Sequence, residues 1–93
     1  MNLGTFSGNL TGDLTLKYTS TGKPFATAVL AVNDAGNTDF LPVKVWGKYA
    51  ETLAGILRKG SKIVATGRIE ISQFERNGSR VTYTELVAEN IEF

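Results

Sequence analysis

Apolar residues in this chain recur mostly at every second position, in short runs separated by turn-forming residues, which is the pattern of half-buried β-strands. The runs are Leu3 to Leu10, Leu14 to Tyr18, Phe25 to Val32, Asp39 to Trp46, Lys62 to Gln73 and Val81 to Phe93. Thr19-Ser20-Thr21-Gly22-Lys23-Pro24 and Asn33-Asp34-Ala35-Gly36-Asn37 read as the turns between the early runs. Taking the first two runs as one long, bent strand gives five strands in all. Between Lys48 and Lys59 the period changes. Ala50, Leu53, Ile56 and Leu57 fall at helical spacing, Arg58 and Lys59 suit a helix C-terminus, and Gly60 suits its cap.

Asn77-Gly78 is a two-residue hairpin signal, because both residues tolerate the positive φ of a type I′ turn. That turn sets Arg76 opposite Ser79, Glu75 opposite Arg80 as an ion pair, and Phe74 opposite Val81. Beyond Tyr83 the alternation fails at Leu86, Val87, Ala88 and Ile91, which predicts a bulge. Five strands with one helix between the third and fourth match the small Greek-key barrel called the OB fold. The prediction is therefore a single all-β OB domain over residues 1–93.

Strand faces point to the chemistry. Along Phe40 to Trp46, Leu41, Val43 and Val45 share one face, which can only be core, and Phe40, Pro42, Lys44 and Trp46 share the other. Two large aromatics with a lysine between them suit a strand that meets unpaired bases, with rings for stacking and cations to follow phosphates. In the next long strand Ile63, Ala65, Gly67, Ile69 and Ile71 read as inward, leaving Lys62, Arg68, Ser72 and Phe74 outward, with Arg76 and Arg80 near Phe74 at the hairpin tip. Each stacked base contributes roughly 1–3 kcal/mol, so platforms at Phe40, Trp46 and Phe74 would carry most of a useful affinity. For any one of these rings, packing or a subunit contact is an equally good reading. Their shared outward parity with basic residues favours binding. Phe25, Thr27, Val29 and Ala31 form an uncharged outward face that reads as a subunit contact. Arg58 and Lys59 read as helix-dipole partners, and Glu75 with Arg80 as an ordinary surface pair.

Composition narrows the classes. Net charge is +1, but Lys44, Lys48, Arg58, Lys59, Lys62 and Arg68 lie between Phe40 and Arg68 against the single acid Glu51, while Glu85, Glu89 and Glu92 gather at the end. The chain has no cysteine and no histidine, which removes disulfides, thiolate nucleophiles, the commonest general base and the usual zinc ligands. Gly4, Gly8 and Gly12 are too widely spaced for a phosphate loop, and Asp34 and Asp39 read as solvated loop carboxylates. The expectation is a binding protein with no catalytic residue, metal or cofactor. No apolar run approaches the ~20 residues of a membrane span, and the start lacks a signal-peptide layout, so the expected location is the cytoplasm. At 93 residues the core is modest, and oligomerisation would support it.

Taken together the residues resemble the bacterial and phage single-stranded DNA-binding proteins. Gly8-Asn9-Leu10 with Gly12-Asp13, and Lys17-Tyr18-Thr19 with Gly22, resemble that family's first strand and turn. Trp46-Gly47-Lys48-Tyr49-Ala50-Glu51 and Leu57-Arg58-Lys59-Gly60-Ser61 resemble its helix entry and exit, and Arg80 with Tyr83-Thr84-Glu85 its last strand. The resemblance implies stacking at Phe40, Trp46 and Phe74, basic contacts at Lys48 and Lys59 and, more distantly, Lys17 and Arg58. It also implies a homotetramer, or a dimer, that protects single-stranded DNA in replication, recombination and repair. The loop Asp34 to Thr38 is short and lacks an aromatic found there in many members. The family's glycine-rich linker and acidic tail are not among these residues, so tail-mediated recruitment of replication and repair proteins is not expected of them. The nearest alternatives are a primosomal-type OB protein and a module that docks proteins on the same aromatics.

Overall fold

A computed structural model, which describes residues 1–93, contains β1 (Gly4–Leu10), β2 (Thr15–Tyr18), β3 (Pro24–Asp34), β4 (Asn37–Trp46), α1 (Lys48–Ile56), β5 (Lys62–Arg76) and β6 (Ser79–Glu92). β1 and β2 are the two halves of the bent first strand. The sheet runs β1-β5-β6-β4-β3-β2, and a further β1–β3 pairing closes it into a barrel of five strands with β2 added along β3. All pairings are antiparallel except β4 with β6, where Val43 faces Leu86 and Lys44 faces Val87. This is the OB architecture, with α1 inserted between β4 and β5.

Closure depends on two missing side chains. A Cβ on Gly8 would lie 2.1 Å from the Ala31 carbonyl oxygen, where β1 crosses β3. A Cβ on Gly67 would lie 2.0 Å from the Val87 carbonyl oxygen. Beside Gly67 the register slips, with Thr66 opposite Asn90 but Gly67 opposite Ala88, so Glu89 is an extra residue in β6. This is the predicted bulge. It explains the broken alternation near the chain end, because a bulge turns the strand while a barrel corner forms.

The core gathers inward residues of every barrel strand and of α1; Leu30, Leu53 and Leu86 are its largest fully buried side chains. The helix contributes Ala50 and Leu53 to it. Tyr49 ties the helix to β6, accepting a hydrogen bond from the Ile91 N–H (2.8 Å) and donating one to the Ile91 carbonyl (3.2 Å).

Several local expectations are corrected. The helix ends at Ile56, which is half exposed, and Leu57 is already extended at φ −82° and ψ 144°. Gly60 does not cap it; Gly60 sits at φ +88° in a turn closed by the Ser61 N–H donating to the Arg58 carbonyl. Arg58 is the terminal partner instead, with its guanidinium donating to the carbonyls of Ala54, Gly55 and Leu57. The β3–β4 turn is shorter than expected, with Ala35 (φ 51°) and Gly36 (φ 83°) as the two residues outside the strands. Ile71 keeps its inward parity but is 63% exposed, because the β5–β6 hairpin runs beyond the barrel and has no core beneath it. The hairpin register is as predicted, yet Glu75 and Arg80 form no ion pair; the two ion pairs are Lys44–Glu85 and Arg68–Glu70.

Substituting Gly67→Ala forces a methyl group onto the backbone of β6 and should cost about 1–3 kcal/mol in a urea unfolding experiment. Gly12→Ala, which meets nothing within 4 Å, is the control and should stay within about 0.5 kcal/mol of the parent. Equal stabilities for the two variants would show that closure does not need the glycine.

Candidate nucleic-acid interface

Cross-strand partners lie on the same face of a sheet, so the register assembles the outer wall row by row. Lys17 of β2, Phe25 of β3 and Trp46 of β4 form one row. Thr15, Thr27, Lys44, Val87 and Arg68 form the next, running across β2, β3, β4, β6 and β5. Val29 and Pro42, then Ala31 and Phe40, continue along β3 and β4. Phe25, Thr27, Val29 and Ala31 therefore do not make a separate uncharged surface. They share a wall with Phe40 to Trp46, and Lys44 and Lys17 lie in it.

Trp46 is the best-surrounded ring. Its centroid is 5.0 Å from that of Phe25 with the planes tilted by 38°. Lys23 and Lys44 place their Nζ atoms 4.8 and 5.3 Å from its centroid, and Lys44 is also 5.5 Å from the Phe25 ring. Such contacts favour a cation over an aromatic face. Lys44 in addition lies 3.3 Å from Glu85 Oε1, with 23% of its side chain and 8% of the glutamate's exposed. The sequence placed Glu85 with the acids of the chain end; folding puts it under the basic wall.

The remaining candidates divide by position. Phe40 is 65% exposed at the far end of the β4 row. Phe74, 46% exposed, stands on the hairpin on the same face as Arg76. Arg80 faces Glu75 and so lies on the opposite hairpin face, not beside Phe74 as expected, because the two-residue turn fixes the alternation. Arg68 donates to Glu70 Oε2 at 3.0 Å, both side chains being a little under half exposed. Lys48 is exposed at the first position of α1, two residues beyond Trp46. Lys59 is exposed, and its backbone N–H donates to Asp13 Oδ1 at 2.7 Å. Lys62 is not brought to this wall; it faces Asn9 and lines a separate recess with Ser7, Asn9 and Asn33.

Two side chains that sequence reasoning passed over join the wall. Lys23 sits in a turn, where periodicity says nothing. Tyr83, opposite Ser72, is 44% exposed and borders an open groove of about 310 Å³ with Asp13, Thr15, Thr27, Val29 and Pro42. Burial pushes its phenol above the usual tyrosine range, and the Glu85 charge adds to that. Its hydroxyl is thus neutral near pH 7. Tyr18 is also raised, first by the hydrogen bond it donates to Glu51 and then by that carboxylate's charge. This wall offers stacking surfaces beside cations, a chemistry indifferent to base identity.

The model of the Single-strand binding protein family matches residues 1–93. The chain is 41% identical over 101 aligned positions to "Single-stranded DNA-binding protein 3" of Listeria innocua, covering 100% of this chain and 63% of that protein. It is 43% identical over 101 positions to the "Single-stranded DNA-binding protein" of Clostridium tetani, covering 100% of this chain and 70% of that one. The crystal structure of the single-stranded DNA binding protein from Thermus aquaticus superposes with a TM-score of 0.82 at 34% identity, over 99% of this chain and 39% of that chain.

The two ion pairs should differ sharply in weight. Lys44→Met leaves the Glu85 carboxylate buried without its partner and should lower unfolding free energy by about 1–3 kcal/mol. Adding Glu85→Gln should return part of the loss, which a double-mutant cycle reads as coupling. Arg68→Ala, at an exposed pair, should cost no more than about 1 kcal/mol. If Lys44→Met proves as mild as Arg68→Ala, Glu85 has another source of compensation.

Proposed function

The chain belongs to the Single-strand binding protein family over its whole length, and from that membership we propose that it binds single-stranded DNA without reading its sequence and protects it during replication, recombination and repair. The observation that carries this reading is the outer wall itself, where Phe40 and Trp46 share a strand face with Lys44, Lys23 and Lys44 lie over the Trp46 ring, and the other face of the strand is core. Bases stack on Phe40, Trp46 and Phe74, while Lys17, Lys48, Lys59, Arg68 and Arg76 meet phosphates on the way. Lys62 and Arg80, on other faces, are reached by strand that wraps around the barrel. Residues 1–93 act as one OB module that binds and does not catalyse.

The working form is a homotetramer in the cytoplasm, with a dimer as the smaller alternative, and solution mass decides between them. No helix is long and apolar enough to cross a membrane. A docking module would use the same rings for protein contacts and would leave DNA affinity unchanged when a ring is removed.

Indole fluorescence from Trp46, the single tryptophan, should be quenched as oligo-dT is added. Log affinity should fall linearly with log salt, by about 0.7 per phosphate neutralised. Phe74→Ala should weaken binding by roughly 1–3 kcal/mol without unfolding the barrel. A flat titration at low salt, with labelled oligo-dT also tumbling freely, would rule the reading out.

A further inference from the structure

We propose that Phe25 and Lys23 complete the Trp46 site: Phe25 extends the indole into a two-ring platform, and Lys23, rather than Lys44, supplies the cation that meets a phosphate beside it. The assignment rests on the binding reading above and deepens it by naming the groups at its centre.

Lys44 and Lys23 both touch the indole, but their charges stand differently. Lys44 is already neutralised by Glu85 at 3.3 Å in a largely buried pair. Leaving that partner for a phosphate would strand a buried carboxylate, which is strongly unfavourable. Lys44 is thus a positioning residue, holding Glu85 neutralised beneath the wall and bridging the Phe25 and Trp46 rings. Lys23 is exposed, belongs to neither ion pair, and has its Nζ 4.8 Å from the indole centroid. An exposed cation–π contact is worth roughly 0.5–1 kcal/mol, so the ammonium can leave the ring for an incoming phosphate at small cost.

The backbone beneath Lys23 is well anchored. Its N–H donates to Thr19 Oγ1 (3.0 Å), and its carbonyl accepts from the Thr19 N–H (2.9 Å). The next residue, Pro24, accepts from the Gly47 N–H (2.8 Å) at the junction following Trp46. The turn is therefore tied to the strand end that carries the indole, while the lysine side chain stays free to move. Phe25 lies directly opposite Trp46 on the neighbouring strand, and the 5.0 Å spacing with a 38° tilt packs the two rings against each other as one aromatic patch, with Lys17 across from Phe25. Phe25 also lacks any charged or hydrogen-bonding group of its own, so an aromatic there serves packing and stacking alike.

The test is anisotropy of a labelled oligo-dT, titrated at several salt concentrations, with each variant first checked by urea unfolding. Lys23→Gln should reduce the salt slope by about 0.7, and Lys23→Arg should restore it. Lys44→Met with Glu85→Gln, which leaves net charge unchanged, should keep the parent slope. Phe25→Leu should weaken affinity roughly 5- to 150-fold at fixed salt. If the parent binds but Lys23→Gln keeps its slope, the assignment of Lys23 is overturned. If Phe25→Leu stays within about twofold, that of Phe25 is overturned. Should Phe25→Leu fail to fold, Lys23→Gln, at an exposed position, carries the test. A parent that does not bind overturns the binding reading and this assignment with it.

Discussion

Where β1 crosses β3 and β5 passes β6, carbonyl oxygens occupy the space that a Cβ would need, and closure of the sheet turns on that contact at Gly8 and Gly67. A closed barrel gives every strand an inside and an outside and fixes which strands are neighbours. The parallel β4–β6 pairing and the antiparallel β3–β4 ladder then follow in a single register. That register brings Phe25 against Trp46 and Lys44 over Glu85; a slip of one residue in β4 would send Trp46 into the core and Val45 into water. The chemistry of the outer wall is thus a consequence of how the inner wall closes.

The wall is basic in a chain whose net charge is close to neutral, and the arrangement explains how both hold. Of the acids near it, Glu85 is buried and paired with Lys44, and Glu70 is paired with Arg68. Glu51, the one acid within the basic stretch of sequence, accepts the Tyr18 hydrogen bond on the side where β2 meets α1. Lys23, Lys17 and Lys48 have no carboxylate partner within ion-pair distance. Local potential depends on such unpaired cations and on low-dielectric surroundings, not on the total charge. Two neutralising contacts of quite different depth therefore leave Lys17 and Lys23, beside Trp46, as uncompensated cations of the wall.

Much of this was legible in the chain. Alternation from Phe40 to Trp46 separated core from surface correctly, and Asn77-Gly78 set the hairpin register to the residue, Phe74 against Val81 included. The broken pattern after Tyr83 signalled the bulge at Glu89. Other features were not legible, for physical reasons. Alternation assigns a face within one strand but not the strand beside it, so Phe25 read as part of a separate surface until β3 and β4 were paired. Ile71 carries inward parity in a segment that has left the barrel, and parity cannot tell where the core stops. The helix ends at Ile56 because Leu57 turns inward as an extended core residue, a tertiary demand that helical spacing continues straight through. Lys23 lies in a turn and has no period to be read.

The aromatic surfaces also differ in how firmly they are held, and that difference bears on how a strand would engage them. Trp46 sits at the end of a barrel strand, beside Phe25 and the anchored turn of Lys23, with its backbone followed at once by α1. Phe74 and Tyr83 stand on a hairpin whose residues 71–80 are exposed throughout. Ordering a side chain or a mobile segment on binding has an entropic cost, and a preorganised platform avoids most of it. If both rings stack bases as proposed, equal ring area would yield more net affinity at Trp46 than at Phe74. On the proposed reading, the barrel row would be the fixed anchor for a base, and the exposed hairpin would offer its rings to strand arriving from varied directions. Sequence-independent binding needs both properties, since unpaired strand has no fixed shape to match but must still be held somewhere.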